Sequence, residues 1–242
     1  DNLNDYYDVK IKKSRLKILK KNKNFIFLHI DLRKRGILER KLKNYNIQSL
    51  FHFAAQAGVR HSLLKPIDYV ENNICATFNI LEICRIKNIK HLILASTSSV
   101  YGFTKKKRVN ETLSTDKPLQ FYAASKKSCE LMAHSYSNIY KMKVSVLRFF
   151  TLYGPLGRPD MALFKFTKGI LEKKKISLFN YGDHKRDFTY IDDAVHMIYK
   201  FLNRAPKRHK KIEENSSVSP WKIFNLSSNK PIKLMKFINK IE

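Results

Sequence analysis

Acidic residues are scarce in this sequence: 20 Asp and Glu stand against 48 Lys and Arg, a formal charge of +28 over 242 residues. Glycine is scarce as well, at 7. Cysteine is limited to Cys75, Cys84 and Cys129, with no CxxC pair and no metal-ligand spacing. That pattern excludes a disulfide framework and a cysteine metal centre, and suits buried thiols in a reducing cytoplasm. No apolar run approaches the ~18 residues of a membrane-spanning helix. The first residues carry no signal-peptide pattern, and no internal repeat is found. The chain opens at Asp1 without a methionine, so it is expected to be part of a longer protein.

The basic excess raises nucleic acid or an anionic membrane surface as a partner. The lysines, however, run through every segment instead of gathering into one stripe, and Asn and Ile are abundant too. This reads as compositional drift, which disfavours nucleic acid and membrane as partners. A hydrophobic fraction of 43% is enough for a real core in one or two domains.

Short apolar runs punctuate the first part: "NFIFLHIDL" (24–32), "QSLFHFAA" (48–55), "HLILAST" (91–97) and "KVSVLRFF" (143–150). Near-continuous apolar character predicts strands covered on both faces, as in a parallel sheet. Between them lie helical patterns over 66–88, with Val70, Ile74, Phe78 and Leu81 on one face, and over 120–140. The alternation predicts βαβ units in a doubly wound α/β fold, with ligands at the carboxyl ends of the strands. Residues 1–150 are expected to form this Rossmann-like domain. A smaller α/β domain is expected over 151–242, with 180–200 packing back on the first. Its predicted elements are helices at 160–173 and 191–204, a strand at 176–179, a polar loop at 181–190, an exposed loop at 205–220 and a terminal helix.

Tyr122 and Lys126 lie four residues apart on one face of the 120–140 helix. An ammonium beside a phenol favours the phenolate and creates a general base. In so lysine-rich a chain the spacing alone is weak evidence. The stretch "LILASTSSVYG" (92–102) adds context: a strand ends in four hydroxyl residues where a doubly wound sheet presents its ligand contacts. Thr97, 25 residues before Tyr122, is positioned to hydrogen-bond the oxygen whose proton Tyr122 removes. Ser96 is read as a cap of the turn after the strand.

A hydroxyl residue at a strand end, then Val-Tyr-Gly, then Tyr-x-x-x-Lys resembles the extended short-chain dehydrogenase/reductase superfamily of nucleotide-sugar epimerases and dehydratases. "DNLNDYYD" (1–8), "HFAAQAGVRHS" (52–62), "LRFFTLYGPLGRPDMALFKFTKGILE" (147–172) and "NYGDHKRDFTYIDD" (180–193) are similar to the UDP-glucuronate 4-epimerases of capsular polysaccharide type. The resemblance implies NAD as cofactor, a UDP-sugar substrate, a homodimer in the cytoplasm, and no metal. It implies cofactor contacts at Asp1, Asp31, Leu32, Ala54, Ala55, Gln56, Asn73, Tyr122 and Lys126. Thr97, Tyr122 and Lys126 match the catalytic positions. Ser98, Ser99, Thr151 and Arg158 match positions around the sugar and its carboxylate, and Arg186 a cation near the diphosphate.

The implied reaction oxidises C4, turns the keto sugar over and reduces its other face, yielding UDP-galacturonate. A 4-keto uronic acid is a β-keto acid that loses CO2 readily, so its carboxylate must be restrained. Related 4,6-dehydratases carry Asp-Glu just after the catalytic Thr, and the decarboxylases a Glu; here Ser98-Ser99 stands there. Epimerisation is therefore favoured, with decarboxylase or dehydratase as the alternative. A further alternative is an inactive basic fragment that binds polyanions. Two departures stand out: no GxxGxxG loop precedes "DNLNDYYD", and Ala76 replaces a usual glycine. The family pattern also continues past residue 242, so truncation at both ends and poor NAD binding by the chain alone are expected.

Overall fold

A computed structural model of the chain describes residues 1–104, 106, 108–208 and 218–242. In chain order the elements are α1 (Val9–Leu19), α2 (Arg35–Leu42), β1 (Ser49–His52), α3 (His61–Leu64), α4 (Pro66–Tyr69) and α5 (Ala76–Ile86). Then come β2 (His91–Thr97), α6 (Phe121–Tyr140), β3 (Lys143–Phe149), β4 (Thr151–Tyr153) and α7 (Ala162–Leu171). The last are β5 (Lys185–Tyr190), α8 (Ile191–Lys200), β6 (Trp221–Leu226), β7 (Pro231–Lys233) and α9 (Leu234–Ile238).

The chain divides into two compact units. The first holds Asp1–Asn2, Leu28–Phe149 and Ile198–Asn225. Its sheet has the order β1-β2-β3-β6, and β1, β2 and β3 run parallel, His91 facing Ser49 on one side and Lys143 on the other. Leu92, Ile93, Leu94, Val144, Val146 and Leu147 are fully buried, as the unbroken apolar runs predict. Helices α5 and α6 pack on the sheet through Ile80, Cys84, Cys129 and Ala133. Each large apolar side chain buried this way stabilises the unit by roughly 1.5–3 kcal/mol. The α/β class with a parallel sheet is as the sequence predicts.

The second unit holds Leu3–Phe27, Phe150–Met197 and Leu226–Glu242. Its sheet has the order β4-β5-β7, with β4 and β5 parallel and β5 and β7 antiparallel. Phe188 of β5 stacks on Phe237 of α9, ring centres 4.1 Å apart and ring planes nearly parallel. Asp187 fixes the turn before β7 by accepting from the Ser228 and Lys230 N–H groups and the Ser228 hydroxyl.

Several local expectations are corrected. Residues 24–32 form no strand; the Ile30 N–H donates to the Asp1 carbonyl at 3.3 Å, and a strand needs a regular ladder of such bonds. The 176–179 segment is no strand either; the β5 ladder lies in the stretch expected as a polar loop, where "RDFTY" finds β4 and β7 as partners. Part of the terminal helix is strand β7, drawn into that pairing. Strand β6 was not foreseen. The helix over 66–88 is interrupted by one wider π turn, Val70–Cys75, whose extra residue rotates the buried face. Tyr69, Asn73, Ala76, Ile80, Leu81 and Cys84 are buried, while Phe78 of the expected face is 42% exposed. Residues 209–217 of the expected exposed loop, and 105 and 107 in an upstream lysine run, lie outside the described residues. Among the described residues no helix is long and apolar enough to cross a membrane. No group of three or more metal-ligating side chains is found among them.

Candidate active site

In the first unit, the carboxyl ends of β1 and β2 open toward the start of α6. After β1 the chain runs through Ala54 and Ala55, both exposed, to the buried Gln56. Gln56 is held from the π turn. The Asn73 side chain accepts from the Gln56 N–H at 2.7 Å and donates to the Gln56 carbonyl at 3.1 Å. The same amide donates to the Ser125 hydroxyl at 2.9 Å, and Ser125 donates to the Tyr122 carbonyl at 2.8 Å. Asn73 is 1% exposed, so its polar atoms are spent on these bonds.

After β2, Thr97 begins the turn Ser98–Tyr101. Its Oγ1 accepts from the Ser99 N–H and donates to Ser99 Oγ, both at 3.2 Å. The capping role expected of Ser96 therefore falls to Thr97. Ser96 instead donates to Glu130 Oε1 at 2.5 Å, because its side chain is buried beside a carboxylate that needs a donor. Ser98 and Ser99 are half-buried.

Tyr122 is half-buried on the first turn of α6, its ring edge-on to Tyr69 at 6.0 Å. Tyr69 is itself locked by its hydroxyl, which donates to the carbonyls of Ala57 at 3.0 Å and Gly58 at 2.5 Å. Lys126, one turn along, is only 3% exposed, and its ammonium makes no hydrogen bond or ion pair among the described residues. Its charge reaches His52, buried beneath at the end of β1. Burial, reinforced by that charge, pushes the imidazole down to about 3, so His52 is neutral near pH 7. His52 Nε2 shares a hydrogen bond of 3.0 Å with the Thr77 hydroxyl.

Asp31 and Leu32 follow the extended segment. Arg33 bonds Asp31 through Nε and Nη2, the latter at 2.7 Å, and reaches Glu71 through Nη1 at 2.6 Å. Arg33 thereby holds the Asp31 carboxyl below its usual range. The Leu32 carbonyl is fixed by Asn79 Nδ2 at 2.8 Å. Asp1 is exposed and adjoins this segment through its carbonyl, which accepts from Ile30 N–H.

The remaining predicted positions belong to the second unit. Thr151 opens β4 opposite Phe188. Arg158 forks onto Asp160, Nε to Oδ1 at 2.9 Å and Nη2 to Oδ2 at 3.0 Å, and Tyr6 donates to the same carboxylate at 3.1 Å. Arg186, on β5, is exposed, with its Nη1 donating to the Lys185 carbonyl at 3.3 Å.

Sequence reasoning missed Tyr69, Ser125 and the pair Glu130–Arg148. Glu130 carried a signal: it lies four residues beyond Lys126 and eight beyond Tyr122, on the same side of α6. Tyr69 and Ser125 had none, because their role depends on contacts across elements.

The chain is 44% identical over 247 aligned residues to Protein CapI of Staphylococcus aureus, covering 100% of this chain and 74% of that relative. It is 40% identical over 248 residues to a probable UDP-glucuronate 4-epimerase of Rhizobium meliloti (strain 1021), covering 100% and 73%. Among solved structures it is similar to a UDP-glucuronic acid 4-epimerase from Bacillus cereus in complex with UDP-glucuronic acid and NAD. The TM-score is 0.84 at 31% identity, covering 100% of this chain and 72% of the other. With residues 4–213 matching the family model as well, the chain belongs to the NAD dependent epimerase/dehydratase family.

Proposed function

We propose that this chain carries the catalytic groups of an enzyme for C4 epimerisation of a UDP-hexuronic acid, interconverting UDP-glucuronate and UDP-galacturonate with NAD, for surface polysaccharide synthesis in the cytoplasm. The observation that carries this reading is Lys126, buried and without an ion-pair partner among the described residues, one turn from Tyr122 in a chain similar over its whole length to a UDP-glucuronic acid 4-epimerase.

The residues present fit the cofactor. The Lys126 side chain is largely buried, with no acceptor for its ammonium among the described residues, and the ribose hydroxyls of a dinucleotide would supply acceptors to it. Ala54 and Ala55 are the small, exposed side chains that a close-lying cofactor requires beside a strand end. Asp1 is assigned to the adenosine ribose, Asp31 and Leu32 to the adenine edge, and Gln56 and Asn73 to the turn beside the cofactor. NAD, when bound, supplies the hydride acceptor for oxidising C4 and the donor for reducing it again.

The chain's own residues manage the proton and the carboxylate. Tyr122, with Lys126 beside it, holds the proton of the C4 hydroxyl as general base and returns it as general acid. The Thr97 hydroxyl hydrogen-bonds the same oxygen. Ser98 and Ser99 restrain the substrate carboxylate against loss of CO2, and neither is an acid able to drive elimination. In the second unit, Thr151 and Arg158 are assigned to the sugar and its carboxylate, and Arg186 to the diphosphate. A homodimer is supported by the apolar side chains on α5 and α6 that stay exposed: Phe78 at 42%, Leu131 at 58% and Ile139 at 60%.

Incubation of the full chain with UDP-glucuronate and NAD, followed by separation of the nucleotide sugars, tests the reaction. UDP-galacturonate is the expected product. A decarboxylated or dehydrated sugar would instead favour the alternative activities of the family.

A further inference from the structure

Thr97 and Tyr122 sit on different elements, joined by 24 intervening residues, many of them exposed. Two hydroxyls that act on one oxygen must keep a fixed separation, and an exposed connection does not fix one. A buried cluster that joins the residue before Thr97 to α6, two turns beyond Tyr122, does. The Glu130 carboxylate, on α6, accepts from Arg148 Nε at 2.9 Å and Nη2 at 2.8 Å, and from the Ser96 hydroxyl at 2.5 Å. Arg148 stands on β3, in register with Ser96 of β2. Its guanidinium lies over the Tyr101 ring, 4.9 Å from the centre, and the Tyr101 hydroxyl donates to Asn225 Oδ1 of β6 at 2.6 Å. One carboxylate thus ties the catalytic helix to the residue before Thr97, and its arginine braces the turn after Thr97.

Glu130 and Arg148 are each 1% exposed, and Arg148 Nη1 has no partner among the described residues. An ion pair buried this deeply is a poor source of stability, since well-packed apolar residues in its place are often as stable or more so. Its directional bonds do what apolar packing does not: they fix the register of three elements at once.

We propose that Glu130 and Arg148 are positioning residues for the reaction, a buried strut that sets the distance between the Thr97 hydroxyl and the Tyr122 phenol. This inference rests on the epimerase reading above. A misplacement of about 1 Å at reacting groups costs on the order of a hundredfold in rate.

The test uses the full chain as wild type, the double variant Glu130→Leu/Arg148→Met and the single variant Ser96→Ala, each assayed for melting temperature, retained NAD, KM and kcat. In the double variant the melting temperature is expected to hold and KM to stay within about threefold, while kcat falls about ten- to a hundredfold. Ser96→Ala, which removes one bond and no charge, is expected to lower kcat several-fold at unchanged KM. Unchanged kcat in a folded double variant would overturn the strut while leaving the epimerase reading intact. Collapse of the fold in both variants would make the cluster a stability element and also overturn it. A wild-type chain that holds NAD yet does not epimerise would overturn the reading first, and the strut with it.

Discussion

Asn73 engages both backbone polar groups of Gln56 with one side chain, accepting from its N–H at 2.7 Å and donating to its carbonyl at 3.1 Å. A side-chain amide thus does for the loop after β1 what a neighbouring strand would do within the sheet. Asn73→Ala leaves those buried groups without this partner, each costing about 1–3 kcal/mol when unsatisfied. Urea unfolding of the full chain should show a loss of at least about 2 kcal/mol. Asn73→Asp keeps the acceptor and loses the donors, and should fall between the two.

Tyr122→Phe removes one oxygen and no packing volume. Turnover is expected to fall by about two to four orders of magnitude, the range contributed by a general base, while NAD affinity and melting temperature match those of the wild type. Near-normal turnover, measured by product formation under saturating substrate, would eliminate Tyr122 as the base.

His52 predicts an acid limit to stability. Its folded value is pushed down to about 3 from an ordinary 6.5, so the unfolded chain binds a proton more readily than the folded one between those values. The stabilisation is fully present above pH 6.5 and is lost as pH falls toward 3. Between pH 7 and 5 the loss is about 2 kcal/mol, read from the ordinary value and the linkage relation. His52→Gln should flatten this part of the curve of unfolding free energy against pH; an unaltered slope would exclude His52 as its source.

Gly102 closes the turn after Thr97 with φ at +61°, and a Cβ there would stand 2.6 Å from the Lys117 carbonyl oxygen. Both the backbone angle and the close approach require glycine. Gly102→Ala is expected to cost about 1–3 kcal/mol and to lower kcat by shifting Ser98–Tyr101. Full stability in a thermal melt would contradict this.

Leu131→Asp and Phe78→Glu each place a charge on the apolar faces of α6 and α5. If these faces meet in a homodimer, sedimentation of wild type should give twice 28.5 kDa, and either variant should shift toward the single-chain mass. A monomeric wild type would remove the homodimer proposal.

Strands β2 and β3 were legible because each buries both faces, which writes an unbroken apolar run into the sequence. The Tyr122–Lys126 helix was legible for the opposite reason: 20 residues without glycine or proline at helical spacing. The π turn left no comparable mark, since Val70–Cys75 uses ordinary residues, and the contacts Asn73 makes there reach Gln56 and Ser125 on other segments. Ser96 was misread because a hydroxyl at a strand end has two equally local explanations, and Glu130, 34 residues away, decides between them. Strand β5 was read as a loop because its neighbours, β4 and β7, lie far from it in sequence and are only three residues long.

The wide turn at Val70–Cys75 also makes the helix intolerant of tidying. Removing one residue between Tyr69 and Ala76 would restore regular α geometry and improve local helix energetics. It would also swing Asn73 by about 100°, the rotation of one helical step, away from Gln56 and Ser125. A variant engineered for an ideal helix would gain regularity and forfeit the link from the Gln56 loop to the Tyr122 turn of α6, so the length of this segment is what that link depends on.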